Sequence, residues 1–117
     1  MAINGIKRRL GFSGEGRAVR FLKKNGYKIA ERNFSTPFGE VDIIASKGQV
    51  LAFIEVKTRT SDAFGQPNEA VRGDRRRRYI NAARYYFSGR TIDVVVRFDI
   101  IEVYKGGINH IENAFTA

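Results

Sequence analysis

The sequence predicts a single α/β domain in which a mixed β-sheet is flanked by helices. Its 117 residues suit one domain, and a hydrophobic fraction of 43% is enough to build a core. Segments rich in Val, Ile and Phe alternate with two stretches in which apolar residues recur at helical spacing. A helix inserted between strands connects them by a crossover, which favours a mixed sheet with helices packed on it.

The expected order of elements is α-β-β-β-α-β-β. They are a helix from Ser13 to about Asn25, strands at Tyr27–Phe34, Glu40–Ser46 and Gln49–Thr58, a helix over Asn68–Phe87, a long strand at Ile92–Tyr104 that bends near Arg97, and a short strand at Ile108–Glu112. Glycines mark the stops: Gly26 after the first helix, and turns at 35–39, Lys47-Gly48 and Gly106-Gly107. We expect residues 1–12 to form a basic, flexible arm and 59–67 a loop.

The charge of the chain indicates a polyanionic partner. Twenty-one Lys and Arg against twelve Asp and Glu give a net charge of +9. A compact domain with this excess attracts nucleic acid, although a merely soluble basic protein and an anionic membrane surface are alternatives. No apolar run reaches the ~18 residues that span a bilayer, and no secretory signal is recognisable. With no cysteine in the chain, we expect a soluble, cytoplasmic protein without membrane attachment.

Two neighbouring predicted strands carry carboxylates inside apolar runs. Asp42 interrupts Val41–Ile44, and Glu55 follows Leu51–Ile54, with Lys57 two residues further on. Side chains two apart on a strand share a face, so Glu55 and Lys57 point the same way. If the two strands pair, Asp42 and Glu55 lie close together with the lysine beside them.

Two carboxylates held together in a partly apolar setting repel each other unless a proton or a cation lies between them. Carboxylate oxygens suit Mg²⁺ or Mn²⁺, and a metal held in this way can activate water against a phosphodiester. Lys57 would orient that water or neutralise the developing charge. An E-x-K triplet alone is a weak signal, and a solvated Glu–Lys pair worth about 0.5 kcal/mol is the alternative.

The residues around this constellation resemble a known family. The motifs are Gly39–Ile44 (G-E-V-D-I-I) and Phe53–Arg59 (F-I-E-V-K-T-R), and further matches extend over nearly the whole chain. They resemble the YraN-like family of uncharacterised bacterial proteins, which is similar to the PD-(D/E)XK nuclease superfamily of restriction endonucleases and Holliday junction resolvases. The resemblance implies a restriction endonuclease-like sheet and metal-dependent cleavage of DNA.

The resemblance also implies roles for individual residues. Asp42 and Glu55 would bind the metal, Lys57 would be the catalytic lysine, and Glu15 would complete the acidic cluster as a third metal ligand. A helix-end charge is the alternative explanation of Glu15. The family usually carries a lysine where this chain has Arg75, which keeps the charge and changes its geometry.

Arginines are concentrated in the second predicted helix. We expect Arg72, Arg75 and Arg76 to share a face and contact phosphate, together with Arg17 and Arg59. A solvated basic helix face is the alternative. Nothing in the pattern indicates reading of base sequence, so a branched or otherwise structured nucleic acid is the expected substrate.

Several other residues are assigned lesser roles. Glu40 shares a strand face with Asp42 and would support the site, whereas Glu69 fits a helix-end charge. His110 lies on the last strand and is not expected to be catalytic. Phe64 fits a core residue better than an exposed wedge, and the aromatic residues at 85–87 fit packing.

Three functions are compatible with these observations. The leading one is a Mg²⁺- or Mn²⁺-dependent endonuclease-type phosphodiesterase acting on DNA. A non-catalytic nucleic-acid-binding module that retains the nuclease fold is the alternative, and a protein-docking adaptor is a weaker third. The sequence leaves the oligomeric state open, and a homodimer is attractive only by analogy with resolvases that cut two strands symmetrically.

Overall fold

The fold is a five-stranded mixed sheet with one helix on each face. A computed structural model describes residues 14–59, 69–91 and 93–115, with the backbone only for 69–73. Residues 14–24 form α1, and the other elements follow in chain order: β1 (Lys28–Thr36), β2 (Gly39–Lys47), β3 (Val50–Thr58), α2 (Glu69–Phe87), β4 (Val95–Tyr104) and β5 (Gly107–Phe115). The predicted order of elements is confirmed. The predicted arm at 1–12, the Ser13 cap and loop residues 60–67, with Phe64, lie outside the described residues.

The strands lie in the sheet in the order of the sequence. All neighbouring pairs are antiparallel except β3 and β4, which are parallel with Val50 opposite Val95 and Thr58 opposite Val103. Tight turns join the antiparallel pairs, whereas the parallel pair requires a crossover, and α2 supplies it. The sheet is therefore mixed because one helix interrupts an otherwise simple meander.

Alternation along the strands divides the core into two layers. Ile43, Ala52 and Ile54 pack with α1 residues such as Leu22, whereas residues adjacent to them in the strands pack against α2 on the other face. The second layer contains Phe53, Tyr79 and Tyr86 among others. The strands nearest the centre of the sheet are apolar on both faces because each face is covered by a helix.

The ends of the elements follow local rules, with a few corrections. Gly26, at φ +89°, ends α1 as predicted, and the Tyr27 amide donates to Leu22 O at 2.9 Å. The strand predicted from Ile92 begins at Val95 instead, since residues 93 and 94 are not in the sheet.

The last hairpin also differs from the prediction. Its turn is at Lys105-Gly106, one residue earlier than expected, and β5 extends to Phe115 rather than ending at Glu112. The polar composition of β5 hides its length, because an edge strand is held by backbone pairing to β4 and needs few apolar side chains. Of the aromatic residues at 85–87, which are expected to pack, Tyr86 and Phe87 contribute to the core. Tyr85 is 45% exposed but lies against Phe34, with the two ring centroids 6.2 Å apart.

Candidate active site

A twist in the β1–β2 hairpin positions Asp42. Arg32 and Phe34 are two residues apart on β1, and in a regular strand their side chains would lie on the same face of the sheet. Here Arg32 faces Glu15 of α1, whereas Phe34 packs in the α2 layer on the opposite face. Asn33, which lies between them, has φ +50°, and this left-handed residue rotates the strand. Asp42 lies on the partner strand at the same level, between the pairs Arg32↔Ile43 and Phe34↔Val41.

The backbone pairing of β2 with β3 ends one residue before Asp42 is reached. The paired residues run from Lys47↔Val50 to Ile43↔Ile54. Beyond that point the Val56 amide donates to Asp42 Oδ2 at 2.8 Å, so a side-chain carboxylate replaces a backbone acceptor. This bond fixes Asp42 beside the amide that lies between Glu55 and Lys57 in sequence.

Asp42 has an unusual protonation equilibrium. Burial raises its pKa to about 6 from 3.8, although the Val56 hydrogen bond opposes the rise. The negative charges of Glu15, Glu55 and Glu40 raise the pKa further. The acidic residues predicted for the site are therefore close enough to Asp42 to affect its ionisation.

Glu55 lies among cations on the α2 side of the sheet. Its carboxylate is 3.6 Å from Lys57 Nζ, 2.7 Å from Arg75 Nε and 3.5 Å from an Arg78 guanidinium nitrogen. Burial lowers the pKa of Lys57, an effect that the Glu55 charge opposes. Arg75, the predicted departure from the family pattern, thus contacts the central glutamate directly.

The carboxylates meet some requirements of a divalent cation. Glu55 Oε1 is buried and accepts no well-directed hydrogen bond from any described residue. Asp42 has a second oxygen beyond the one that Val56 holds, and a raised pKa is what a nearby cation would reverse. Within residues 14–59, 69–91 and 93–115, however, no three Asp, Glu or His side chains are grouped closely enough to hold a metal. Glu15 instead forms an ion pair with Arg32 at 3.8 Å.

The predicted phosphate-binding arginines are dispersed. Arg75 reaches the site, whereas Arg76 is exposed on the outer surface of α2, so the shared face expected for the two is wrong. Arg59 is paired with Glu102 at 3.0 Å, and Arg17 donates to Tyr104 O at 2.7 Å, where it stabilises the last hairpin. The side chain of Arg72 lies outside the described residues.

Arg78 is a residue of the site that the sequence does not predict. Arg78 contacts Glu55 because α2 turns Arg75 and Arg78 toward the sheet together with Tyr79. Their three-residue spacing was visible in the sequence, but which side of α2 packs on the sheet was not. Glu40 is exposed and affects Asp42 only through its charge.

A second polar cluster lies on the α1 face of the sheet. Asp99, fully buried, accepts hydrogen bonds from Arg97 at 2.8 Å and from the Asn113 amide at 3.0 Å, and His110 Nε2 lies 2.8 Å away. Burial alone would raise the pKa of Asp99, but these hydrogen bonds outweigh it and the pKa lies below its usual value. The signal was present in the sequence, since Phe98-Asp99-Ile100-Ile101 repeats the pattern around Asp42.

Comparison with known proteins gives a consistent family. The model of uncharacterised protein family UPF0102 matches residues 14–103. UPF0102 proteins of Thermodesulfovibrio yellowstonii and Caldicellulosiruptor saccharolyticus are each 47% identical to this chain. The matches cover 91% and 93% of this chain, and 95% and 98% of the relatives. A UPF0102 protein of Clostridium perfringens is 44% identical over 91% of this chain and 93% of its own length. None of the helical segments described in the structure combines the length and apolarity needed to cross a bilayer.

Proposed function

The chain belongs to the uncharacterised protein family UPF0102, and from the geometry of its site we propose that it is a metal-dependent phosphodiesterase that cleaves DNA. The observation that carries this proposal is the hydrogen bond from the Val56 amide to Asp42, which holds that carboxylate at the end of the β2–β3 ladder. Glu55 and Lys57 flank the same amide in sequence and lie 3.6 Å apart. An acidic pair with an adjacent lysine is suited to phosphodiester hydrolysis.

Asp42 and Glu55 would hold Mg²⁺ or Mn²⁺, with Glu15 as a further acidic neighbour. Two carboxylates are a common protein contribution to a Mg²⁺ site, because water and substrate phosphate complete the coordination. The cation would supply Lewis-acid activation of water and of the scissile phosphate. The geometry of Glu55 requires that Arg75 and Arg78 share its carboxylate with the metal or release it.

The cationic residues of the site would neutralise negative charge on the substrate phosphate. Lys57, whose pKa is lowered by burial, lies beside Glu55 and would orient water or neutralise charge on the phosphate. Arg75 and Arg78 are the nearest guanidinium groups, and their forked donors suit phosphate oxygens. A substrate phosphate would therefore compete with Glu55 for these arginines.

Metal titration by calorimetry tests this function. Mg²⁺ and Mn²⁺ are titrated into the full chain, alone and with a short non-cleavable DNA duplex or junction. We expect Asp42→Asn and Glu55→Gln to weaken metal binding at least ~10-fold. Lys57→Met should retain the metal in this titration, and in a parallel assay with cleavable DNA it should lose cleavage. Asp74→Asn, a change in an exposed carboxylate of α2, is the matched control. Metal binding that survives both acidic substitutions would contradict the proposal.

A non-catalytic nucleic-acid-binding module is the second candidate. The observation in its favour is that Glu55 is already neutralised by three cationic side chains, so the carboxylate can be explained as an anchor for α2. This function predicts salt-dependent DNA binding that requires no divalent metal and yields no product. Absence of metal binding in the presence of DNA would favour it.

A further inference from the structure

A cavity lies at the end of α2 away from the candidate active site. It has a volume of about 580 Å³ and is walled by Phe87, Phe98, Val96 and Ile80, with Arg84 and Asn113 also lining it. Pockets of this size and apolar character are typical of sites that bind small organic groups. None of these residues belongs to the Asp42 site.

Arginines continue from this cavity along the outer surface of α2. A second depression of about 360 Å³ is lined by Arg76, Arg77 and Arg84, and it shares Ile80 and Arg84 with the cavity. Arg77 is paired with Asp74 at 3.7 Å, but both side chains are highly exposed and such a pair is weak. The cavity and the depression together form a groove along α2, which is apolar at Phe87 and Val96 and cationic at Arg76 and Arg77.

Asn113 is held in an unusual conformation at the wall of the cavity. Its φ of +53° lies in the left-handed region, which asparagine adopts more readily than most residues, and its backbone amide donates to the buried carboxylate of Asp99 at 3.0 Å. Arg97 and His110 hold Asp99 in turn. No described residue hydrogen-bonds to the Asn113 side-chain amide, which can both donate and accept.

We propose that this groove binds an unpaired base of a nucleic acid, with adjacent phosphates contacting Arg84 and Arg76. Phe87, which is partly exposed, can contact a base, whereas Phe98 is buried and closes the wall behind it. The side-chain amide of Asn113 can meet a base edge. An aromatic side chain beside a row of guanidinium groups is the combination that binds single-stranded nucleic acid. The row of arginines disfavours a cationic occupant. The inference rests on the proposed function and deepens it, because it makes the substrate a duplex that carries a single-stranded tail or branch.

The test compares a blunt DNA duplex with the same duplex carrying a short single-stranded tail, in EDTA to prevent cleavage. Fluorescence anisotropy measures affinity, and a 2-aminopurine in the tail reports stacking through its quenching. We expect the tail to increase affinity about tenfold, which is an effect typical of one base stacked on an aromatic side chain. Quenching should accompany binding.

Two exposed residues provide variants that leave the core intact. Ser88→Leu adds apolar bulk at the cavity lining without an aromatic face or a charge, and Arg84→Gln removes the shared guanidinium. Each should reduce the preference for the tailed duplex at least threefold and diminish the quenching. Arg20→Gln, an exposed arginine of α1, is the control and should retain the preference.

The outcomes separate this inference from the proposed function. Equal binding of tailed and blunt duplexes, or a preference unchanged in Ser88→Leu and Arg84→Gln, would overturn the base-binding groove alone. No binding of either duplex would contradict nucleic acid as the substrate and overturn both. A groove for an acidic peptide would instead bind a short Phe- and Asp-rich peptide in an Arg84-dependent way without tail preference, which also overturns the inference.

Discussion

Asp42 combines a structural bond with an ionisation that opposes folding at neutral pH. Its pKa is near 6 in the folded chain and 3.8 when unperturbed, so between these values the folded state binds more protons than the unfolded state. The free energy of unfolding therefore falls as pH rises through this window. Above the window Asp42 is ionised in both states and causes no further change. Carboxyl groups with a depressed pKa, such as Asp99, have the opposite pH dependence.

Replacing Asp42 by Asn should remove this penalty. We expect the unfolding free energy of Asp42→Asn, relative to wild type, to increase between pH 4 and pH 6 and to level off above it. The gain should be on the order of 1–2 kcal/mol after allowance for partial solvent exposure. Urea denaturation at a series of pH values in EDTA measures it. A difference that is flat across this range would show that the Asp42 pKa is not raised.

At the scale of elements, the tip of the β1–β2 hairpin is coupled to α2. Gly39 has φ +125°, and a Cβ built there would lie 2.5 Å from Cδ of Arg78, the arginine that contacts Glu55. Glycine is therefore required both by the backbone and by the neighbouring side chain. A hairpin turn far from Glu55 in sequence thus limits where an arginine of the site can lie.

Gly39→Ala should destabilise the fold by about 2–3 kcal/mol, because alanine strains this backbone conformation and displaces Arg78. Gly48→Ala is the matched control in the next hairpin. Gly48 has φ +59° and open space around its Cβ position, so the expected cost is about 1 kcal/mol. Urea denaturation measures both. Equal costs would contradict a contact between the hairpin tip and Arg78.

The sequence predicts those elements that are determined by neighbouring residues in the chain, but not those that are determined by contacts between distant segments. Continuous apolar runs predict β2 and β3 to within a residue or so of their observed ends, because both strands are buried on two faces. The length of β5 was not predictable in this way, since pairing with β4 determines it.

The same reasoning applies to the site. Local pattern was enough to select Asp42, Glu55 and Lys57 as candidates, but contacts between distant segments, such as Arg78 with Glu55 or Asp99 with His110, are set by packing of the two layers. Side-chain orientation on α2 follows from which face meets the sheet. That choice is made by the tertiary structure and not by the helix itself.

At the scale of the whole molecule, the net charge of the chain is +9, and both helices, which lie on opposite faces of the sheet, carry clusters of basic residues. Arg20, Lys23 and Lys24 line a depression on α1, and Arg76, Arg77 and Arg84 line one on α2. Net charge alone would let either surface bind a polyanion. The groove proposed on α2 makes that surface the principal one.

Salt dependence of DNA binding should distinguish the two basic surfaces. The logarithm of the binding constant falls with the logarithm of salt concentration in proportion to the phosphates contacted, with a slope of about −0.9 each for duplex DNA. Changing the three α2 arginines to Gln should reduce the magnitude of this slope by about 2. The matched triple change to Gln on α1 should alter it by less than ~1. Equal reductions would show that binding is not confined to α2.

The single parallel pairing also affects how the chain must assemble. β1, β2 and β3 are joined by tight turns, as are β4 and β5, so their pairings close only short loops. Pairing Val50 with Val95 closes a loop that contains all of α2. The entropy cost of joining β1–β3 to the β4–β5 hairpin is therefore concentrated in the β3–β4 contact. Packing of α2 on the sheet at the same step offsets that cost.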